Sequence, residues 1–497
     1  MNHSALIYGQ LKGRARENSL LNNASSLLQW DQEIMMPAKG SDYRADQLAL
    51  LSGWAHQRWT DPEVKRWLDE VSVEDLSCDE QVNVERWRYD LERSRRIPAD
   101  LVEESARLES QAHEAWKMAR SRSEFDLFKP YLVKLVACAR RKADLWGYEL
   151  EPYDALLEGH EPGLTSAQLR ALFTPLATDL ACCCEKAFAM TKSPGLPEVV
   201  YPIERQVAFN RRIVEALGYD FSRGRMDVSV HPFSSTLGPQ DHRITTRYDE
   251  KDFTGSLFGA LHEAGHALYE QGLPPEAFGT PLGSSVSLGI HESQSRFWEN
   301  QIGRSTAFWE YGYPVACEYF PELSQITMED VVAYVNRVER SFIRVDASEI
   351  GYDLHVILRF EVEDRLFNGD LDVEDVPSFW NERFKAFVGL EVPDDARGCL
   401  QDIHWSMGGF GYFPTYTLGS LNAAQLYAAA DIELGGLSEN IALGNYEPLL
   451  SWLRKQIHTQ GRRYLPGALM EAATGRAPSA EPFLKYIREK VNQLVSP

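Results

Sequence analysis

The chain of 497 residues is 44% hydrophobic and 25% charged, which is ordinary for a globular protein able to bury a large core. Its formal charge of -22, from 51 Lys and Arg against 73 Asp and Glu, argues against nucleic acid or an anionic membrane as a partner. The N-terminus lacks the basic segment and apolar run of a secretory signal, and no stretch reaches the roughly 18 apolar residues of a membrane helix. We therefore expect a cytoplasmic protein, and the seven cysteines, three of them adjacent at 182–184, suit reduced thiols.

The N-terminal part of the chain predicts long helices. Apolar pairs such as Leu20-Leu21 and Leu27-Leu28 recur at helical period and stop at Met35-Met36-Pro37. Residues 98–148 predict two further long helices, with a turn at 121–123 between them. This charged, helical region is predicted to form a wall rather than a site.

A loop near residue 195 divides the predicted helices into two groups. A helix is predicted from Thr165 to about Lys192, and Pro194-Gly195 then mark a break. We predict a single domain, 1–497, with helical lobes of about 1–195 and 196–497.

The hydrophobic period changes between residues 225 and 250. Met226, Val228 and Val230 alternate with polar residues, and a second strand-like run covers residues 243–248. We predict a small antiparallel β-sheet, whose edge strand could hold an extended peptide.

The motif His262-Glu263-Ala264-Gly265-His266 follows the predicted sheet directly. Residues at i and i+4 share one helix face, so both imidazoles can reach one zinc ion while Glu263 lies beside its bound water. Asp252 is a candidate N-cap, and Gly272 before Pro274-Pro275 is a stop signal. The alternative interpretation is a chance match on a helix whose histidines are only packed or solvated.

A catalytic zinc ion takes a third protein ligand and leaves one position open for water. The metzincin arrangement needs Gly and His three and six residues after the second His, and Tyr269 and Gly272 there exclude it. Glu292, at the start of the next predicted helix, fits as the third ligand, and His291 is the rival candidate.

The C-terminal half predicts mostly helices around one irregular segment. Residues 328 to about 390 read as amphipathic helix, and residues 398–419 form a segment rich in Gly and aromatic residues. Overall, we predict a mainly α fold with the small sheet beside the zinc helix.

Six short motifs resemble those of the M32 metallocarboxypeptidases, and the resemblance runs nearly end to end. In chain order they are His231-Pro232-Phe233, Asp241-x-Arg243-x-Thr245, His262-Glu263-x-x-His266, His291-Glu292-Ser293-Gln294, Ile343-Arg344-x-x-Ala347 and Gly398-x-x-Gln401-Asp402-x-His404-Trp405. Several independent motifs in the right order make a chance match negligible. The resemblance implies a large helical peptidase fold with a deep groove.

The resemblance also implies a metal and a catalytic set. Zinc would be bound by His262, His266 and Glu292, with cobalt able to substitute. Glu263 would take a proton from the bound water and pass it to the leaving amine. The Gly-rich segment 408–412 resembles the loop that serves the oxyanion in the related neurolysin-like peptidases, so Tyr416 first and His404 second are predicted oxyanion donors.

A peptidase acting at the C-terminus must bind a free carboxylate, which a fixed guanidinium does through two hydrogen bonds. Arg344 and Arg243 are the candidates, and either could instead be a structural ion-pair partner. His231, Asp241 and Gln401, which stand in the matching motifs, are carried over as further substrate-binding residues. We predict a zinc carboxypeptidase acting on peptides with a free C-terminus; the resemblance implies broad specificity, exclusion of C-terminal proline and a homodimer.

One position departs from the family pattern, and two other functions stay open. The motif beginning at Ile343 continues to Asp in the family, whereas this chain has Ser348 followed by Glu349. Either Glu349 replaces that carboxylate, or the carboxylate only orients other groups. The alternatives are an endopeptidase or aminopeptidase of the same metal class and an inactive binding protein. The G-x-M-E-N stretch of many aminopeptidases is absent, and the intact metal motif argues against inactivity.

Overall fold

A computed structural model describes residues 3–188 and 195–495, and these ranges contain twenty α-helices and three β-strands. The helices are α1 His3–Ile34, α2 Ser41–Trp59, α3 Pro62–Glu70, α4 Cys78–Arg95, α5 Ala99–Arg122, α6 Phe125–Trp146, α7 Pro152–Leu157, α8 Ser166–Phe188, α9 Ile203–Ala216, α10 Phe253–Gly272, α11 Leu288–Arg296, α12 Thr306–Tyr319, α13 Met328–Val335, α14 Glu349–Asn368, α15 Val376–Val388, α16 Pro414–Glu433, α17 Ser438–Ala442, α18 Glu447–Gln456, α19 Pro466–Thr474 and α20 Glu481–Val495. The strands are β1 Met226–Val228, β2 Ser234–Gly238 and β3 Asp241–Thr246. The prediction of a mainly α fold is confirmed.

The predicted N-terminal helices are present with their predicted breaks. Helix α1 ends at Ile34, immediately before the Met-Met-Pro stretch. Helices α5 and α6 are separated at Ser123, whose φ of 57° is left-handed and ends α5. Helix α8 begins at Ser166, but the predicted end near Lys192 and the break at Pro194 lie outside the described residues.

The prediction of a purely antiparallel sheet is wrong. The strand order is β1-β3-β2, with β1 parallel and β2 antiparallel to β3. A tight turn after Gly238 folds β3 back between the two earlier strands, so β1 and β3 run the same way. Alternating apolar residues specify a strand but not its neighbour, which is why the sequence pattern missed this order.

The prediction of continuous amphipathic helix from 328 to about 390 is also wrong. Helix α13 ends at Val335, residues 336–348 form no α-helix, and α14 begins only at Glu349. Of the 20 residues of α14, 15 are buried, and the exposed Arg365 and Asn368 lie near its end, so most of the helix has no solvated face. A helix surrounded by protein carries no amphipathic period to read.

Three apolar cores hold the helices together. The first joins α5 to α8 with α14, α15 and α20, the second joins α9 to α13 with α17 to α19, and the third joins α1, α3 and α4. Helix α16 contributes to both larger cores. Among the described residues, no helix is both long enough and apolar enough to cross a membrane.

Helix α10, which carries the two histidines, begins and ends where predicted. Asp252 caps it by accepting a hydrogen bond from the Thr254 amide at 2.8 Å. Its stripe of Leu257, Leu261, Ala264 and Leu268 is fully buried in the second core. The opposite face is therefore free to carry polar groups.

Two glycines let α11 pass closely between α10 and α16. A Cβ at Gly265 would lie 2.5 Å from the backbone oxygen of Gln294 in α11. A Cβ at Gly419 of α16 would collide with the side chain of Glu292. These contacts set Glu292 directly against the helix that carries His262 and His266.

Ser348, where the family pattern has Asp, is the N-cap residue of α14. Its hydroxyl makes no capping bond and is buried without a hydrogen-bond partner among the described residues. Glu349 instead pairs with Lys490 and accepts from the Tyr486 hydroxyl at 2.7 Å, both on α20. Glu349 therefore ties α14 to α20 and does not take over the capping position.

Ser348→Asp is expected to stabilise the protein by about 0.5–1.5 kcal/mol, because a carboxylate at the N-cap satisfies helix amides and faces the positive end of the helix dipole. Thermal and denaturant unfolding measure the effect. Ser348→Ala is the matched control and should stay within about 0.5 kcal/mol of wild type, since the hydroxyl makes no bond. A destabilised Ser348→Asp variant would show that the position does not accept a cap.

Candidate active site

His262, His266 and Glu292 form a compact cluster of possible metal ligands. One ligand atom from each residue lies within 4.8 Å of the other two. The Glu292 Oε2 atom is 3.8 Å from Nε2 of His262 and 3.5 Å from Nε2 of His266. Both imidazoles remain partly exposed, whereas the carboxylate is buried.

Each histidine is oriented from behind through its Nδ1 atom. Nδ1 of His262 lies 2.8 Å from Oε2 of Glu299, and Nδ1 of His266 lies 2.6 Å from Nδ1 of His291. Nε2 of His291 in turn lies 2.9 Å from Glu270. A proton on Nδ1 of each cluster histidine satisfies these contacts and leaves both Nε2 lone pairs facing Glu292.

His291 is therefore placed as a supporting residue. Both of its ring nitrogens are used, one toward His266 and one toward Glu270. This arrangement leaves it no nitrogen for the same metal, so Glu292 is the third candidate ligand.

Glu292 is kept ionised by a buried arginine. Arg296 donates from Nε to Oε1 at 2.7 Å, and Ser295 donates to Oε2 at 3.1 Å. Burial alone would raise the pKa of Glu292, but Arg296 and His262 outweigh burial and hold it well below its usual value. Two imidazole lone pairs and one anionic oxygen fit a divalent metal with an open coordination position.

Glu263, next to His262 on α10, is only 6% exposed. Burial raises its pKa to about 7, while the charge of His262 opposes the rise. A carboxyl group that gains and loses a proton near neutral pH is suited to acid–base chemistry at the cluster.

The segment after residue 404 brings the predicted oxyanion donors together. The Tyr416 hydroxyl lies 3.1 Å from Nε2 of His404, and the Tyr412 and Tyr416 rings are 5.4 Å apart. Burial lowers the pKa of His404 to about 4, so its ring is neutral at pH 7. Burial raises the pKa of Tyr416 far above its usual value, so its hydroxyl stays a hydrogen-bond donor.

A buried carboxylate of α14 fixes this segment. Glu363 accepts from Trp405 Nε1 at 2.8 Å, from the Gly411 amide at 2.8 Å and from the Tyr153 hydroxyl at 2.6 Å. The bonds from Trp405 and Gly411 fix the segment that leads from His404 to the start of α16, which carries Tyr416.

Arg344 lies on the Arg296 side of the cluster. It donates to Asp402 from Nε at 3.2 Å and from Nη2 at 2.9 Å, and to the Tyr352 hydroxyl from Nη1 at 2.7 Å. The Arg296 guanidinium lies 4.1 Å from the centre of the Tyr352 ring, so Tyr352 connects the two arginines. Arg344 also lies 4.8 Å from the centre of the Tyr416 ring.

Asp402 is shared by two arginines. Arg359, which is fully buried, donates to its Oδ2 from Nε at 2.6 Å. Two guanidinium groups against one carboxylate leave this part of the site with excess positive charge. Gln401 accepts from the Arg344 amide at 2.9 Å and so fixes its backbone.

Arg243, Asp241 and His231 lie around the sheet. Arg243 donates to both oxygens of Asp241 at 2.8 Å, and its guanidinium lies 4.4 Å from the centre of the Trp30 ring in α1. His231 is exposed. Within the described residues, no hydrogen bond or ion pair joins these three side chains to the cluster, and their substrate-binding roles stay predictions.

The family comparison settles the class of protein. The model described as Carboxypeptidase Taq (M32) metallopeptidase matches residues 10–491. The chain belongs to the M32 metallopeptidase family. This membership confirms the family predicted from the six motifs and makes the chain a metallocarboxypeptidase-type peptide hydrolase that uses a divalent metal.

Relatives and solved structures of the M32 family match almost the whole chain. The Thermostable carboxypeptidase 1 of Thermus thermophilus is 45% identical over 97% of this chain and 98% of its own. The Carboxypeptidase 1 of Bacillus subtilis is 38% identical over 95% of each chain. The crystal structure of M32 carboxypeptidase from Deinococcus radiodurans R1 is 40% identical, covers 99% of each chain and has a TM-score of 0.96.

Several supporting residues of this M32 site were not predicted from the sequence. Glu270 stands four residues after His266, and Arg296 four residues after Glu292, so continuing each helix face would have found them. Glu299 lies about one helical turn after Arg296. Tyr352 and Glu363 reach the site from α14 and carry no local signal.

Glu161 supports α11 from a distant part of the chain. It is 5% exposed and accepts from the Gly289 amide, in the first turn of α11, at 2.9 Å. Burial raises its pKa to about 7, because no basic side chain offsets it.

Glu161→Gln is expected to change how the stability of this M32 protein depends on pH. Between the ordinary pKa of 4.5 and the folded value of about 7, the unfolded chain ionises while folded Glu161 keeps its proton. The free energy of unfolding therefore falls with rising pH by about 3 kcal/mol through this group. Gln does not titrate. From pH 4.5 to 8, the free energy of unfolding of the variant should therefore rise by about 3 kcal/mol relative to that of wild type. A difference independent of pH would contradict the raised pKa.

Proposed function

We propose that this protein is a zinc-dependent carboxypeptidase of broad specificity that releases the C-terminal amino acid of peptides but excludes C-terminal proline. One observation carries the proposal: the His262–His266–Glu292 cluster lies beside an arginine-rich region that contains Arg344. A metal site next to fixed guanidinium groups suits cleavage of the last peptide bond. The family relatives, which are named carboxypeptidases, support it.

A metal held by the three ligands supplies Lewis-acid activation of water and of the scissile carbonyl. Glu263 accepts a proton from the attacking water, whose oxygen bonds to the carbonyl carbon. Tyr416 donates a hydrogen bond to the developing oxyanion, and neutral His404 supports the Tyr416 hydroxyl. Glu263 then gives the proton to the departing amine as the carbon–nitrogen bond breaks.

Arg344 binds the terminal carboxylate of the peptide. Its partner Asp402 is already paired with Arg359, so the region keeps the positive charge that an anionic group requires. Arg243 lacks this surplus, because it forms a one-to-one ion pair with Asp241, whereas Asp402 is shared by two arginines.

The remaining parts of the proposal rest on the family resemblance. We propose zinc as the metal, with cobalt able to substitute, a homodimer as the assembly and the cytoplasm as the location. The helical lobes of about 1–195 and 196–497 are proposed as the two sides of the groove.

Metal removal and reconstitution test the proposed function. The protein is treated with a chelator, dialysed and titrated with zinc or cobalt, and free amino acid released from an acylated dipeptide is measured. Activity should disappear on chelation and return at one equivalent of metal. A matched dipeptide ending in proline should not be cleaved. Activity that survives complete metal removal would overturn the proposal.

A further inference from the structure

A cavity of about 290 Å³ lies beyond the metal cluster, at the C-terminal end of α10. Its lining includes Glu270 from α10, Thr236 from β2, His242 from β3, and Asn22 and Asn23 from α1. Nothing in the proposed hydrolysis uses this cavity.

The cavity continues the polar face of α10. His262, His266 and Glu270 recur at four-residue steps, and their side chains are 21%, 16% and 16% exposed. The Glu270 position is about 6 Å along the helix axis from His266. An extended peptide advances about 3.3–3.6 Å per residue, so the cavity is about two residues from the reacting carbonyl.

The cavity and Arg344 lie on opposite sides of the metal cluster. At one end of α11, His291 contacts His266 and Glu270. At the other end, Arg296 reaches Glu292 and stacks on Tyr352, which accepts a hydrogen bond from Arg344. A peptide whose carboxylate is held by Arg344 therefore directs its amino-terminal part toward Glu270.

The polar groups of the cavity present acceptors. Thr236 donates to Glu270, so the Thr236 oxygen is left to accept from Nδ1 of His242 at 3.2 Å. In that tautomer Nε2 of His242 carries a lone pair. This atom is buried without a well-formed hydrogen bond to any described residue, and His242 is only 2% exposed.

Charge favours a cation here. Burial would raise the pKa of Glu270, but the hydrogen bond and charge of His291 outweigh it, so the carboxylate is ionised at pH 7. Burial lowers the pKa of His242, which keeps that ring neutral. Glu270 is thus the charged side chain among the lining residues, and the Asn22 and Asn23 side chains add neutral oxygens.

We infer that this cavity is a specificity subsite for a primary ammonium group of the substrate, two residues before the scissile bond, bound by Glu270 and Nε2 of His242. The inference rests on the proposed carboxypeptidase function. The ammonium group can be a lysine side chain or the free amino terminus of a tripeptide, since both present the same three donors.

Two matched substrate pairs separate these sources. Acetyl-Lys-Ala-Ala is compared with acetyl-norleucine-Ala-Ala, and unblocked Ala-Ala-Ala with its acetylated form. We expect kcat/KM to favour the amine by about 10-fold in at least one pair, and the pair that responds identifies the source.

Variants then locate the subsite. Glu270→Gln, which keeps an oxygen for His291, and Asn23→Trp, which fills the cavity from α1, should both remove the preference. Glu276→Gln, an exposed acid of the following turn that does not line the cavity, should keep it. A weakened metal site lowers both members of a pair equally, so the ratio reports the subsite alone.

The outcomes separate the two proposals. Equal kcat/KM within both pairs for wild type, or a preference that survives Glu270→Gln, overturns the subsite. Failure of wild type to cleave acetyl-norleucine-Ala-Ala overturns the carboxypeptidase function instead.

Discussion

Glu263→Gln is expected to lower kcat by about 10²–10⁴-fold while metal stays bound. The substitution keeps the size of the side chain but removes the group that accepts and returns the proton. Glu263 is not one of the three ligands of the cluster, so metal affinity should change little.

Three measurements on that variant are needed together. They are the metal content of the purified protein, its thermal stability and the rate of amino acid release. The exposed Glu310→Gln variant is a charge-matched control that should behave like wild type. Loss of metal from Glu263→Gln would mean that Glu263 holds the site together rather than moving a proton.

Arg344→Gln is expected to lower kcat/KM on peptides with a free C-terminus by about 100-fold, or about 2.8 kcal/mol. The variant loses a planar fork that can hold a carboxylate through two hydrogen bonds. Asp402 keeps Arg359 as its partner, so the variant is expected to fold. Arg344→Lys should be intermediate, because an ammonium group keeps the charge without the fork.

Arg243→Gln provides the matched comparison for Arg344. Arg243 is paired with Asp241 through both donors and stacks on Trp30, so its loss should mainly affect the packing of α1 on the sheet. We expect less than about a fivefold change in kcat/KM, with a lower melting temperature. A larger loss of kcat/KM in Arg243→Gln than in Arg344→Gln would mean that Arg243, on the sheet, binds the substrate carboxylate.

The metal cluster could be predicted because its signals are local. The spacing of His262 and His266, the apolar stripe of α10 and its caps all depend on residues within one helix. Glu292 follows in the next helix, and a choice between it and His291 needed the contact between α10 and α11. That contact depends on Gly265, whose role is visible only once the helices are packed.

Other features could not be predicted, for equally physical reasons. The order of the strands depends on where β3 inserts, which alternation does not encode. Most of helix α14 is buried, so its two residues at the site, Tyr352 and Glu363, lie in a stretch without a clear hydrophobic period. In sequence, Arg344 and Arg243 are equivalent candidates for the carboxylate site. Only their ion-pair partners distinguish them: Arg344 shares Asp402 with Arg359, whereas Arg243 pairs alone with Asp241.

The most direct test of the central claim compares an acylated dipeptide with its C-terminal amide on the same zinc-loaded protein. The two substrates share the scissile bond and differ only in the group that Arg344 is proposed to bind. We predict that the free acid is cleaved at least about 100-fold faster in kcat/KM. Equal cleavage of the amide would contradict both the carboxypeptidase function and the role of Arg344.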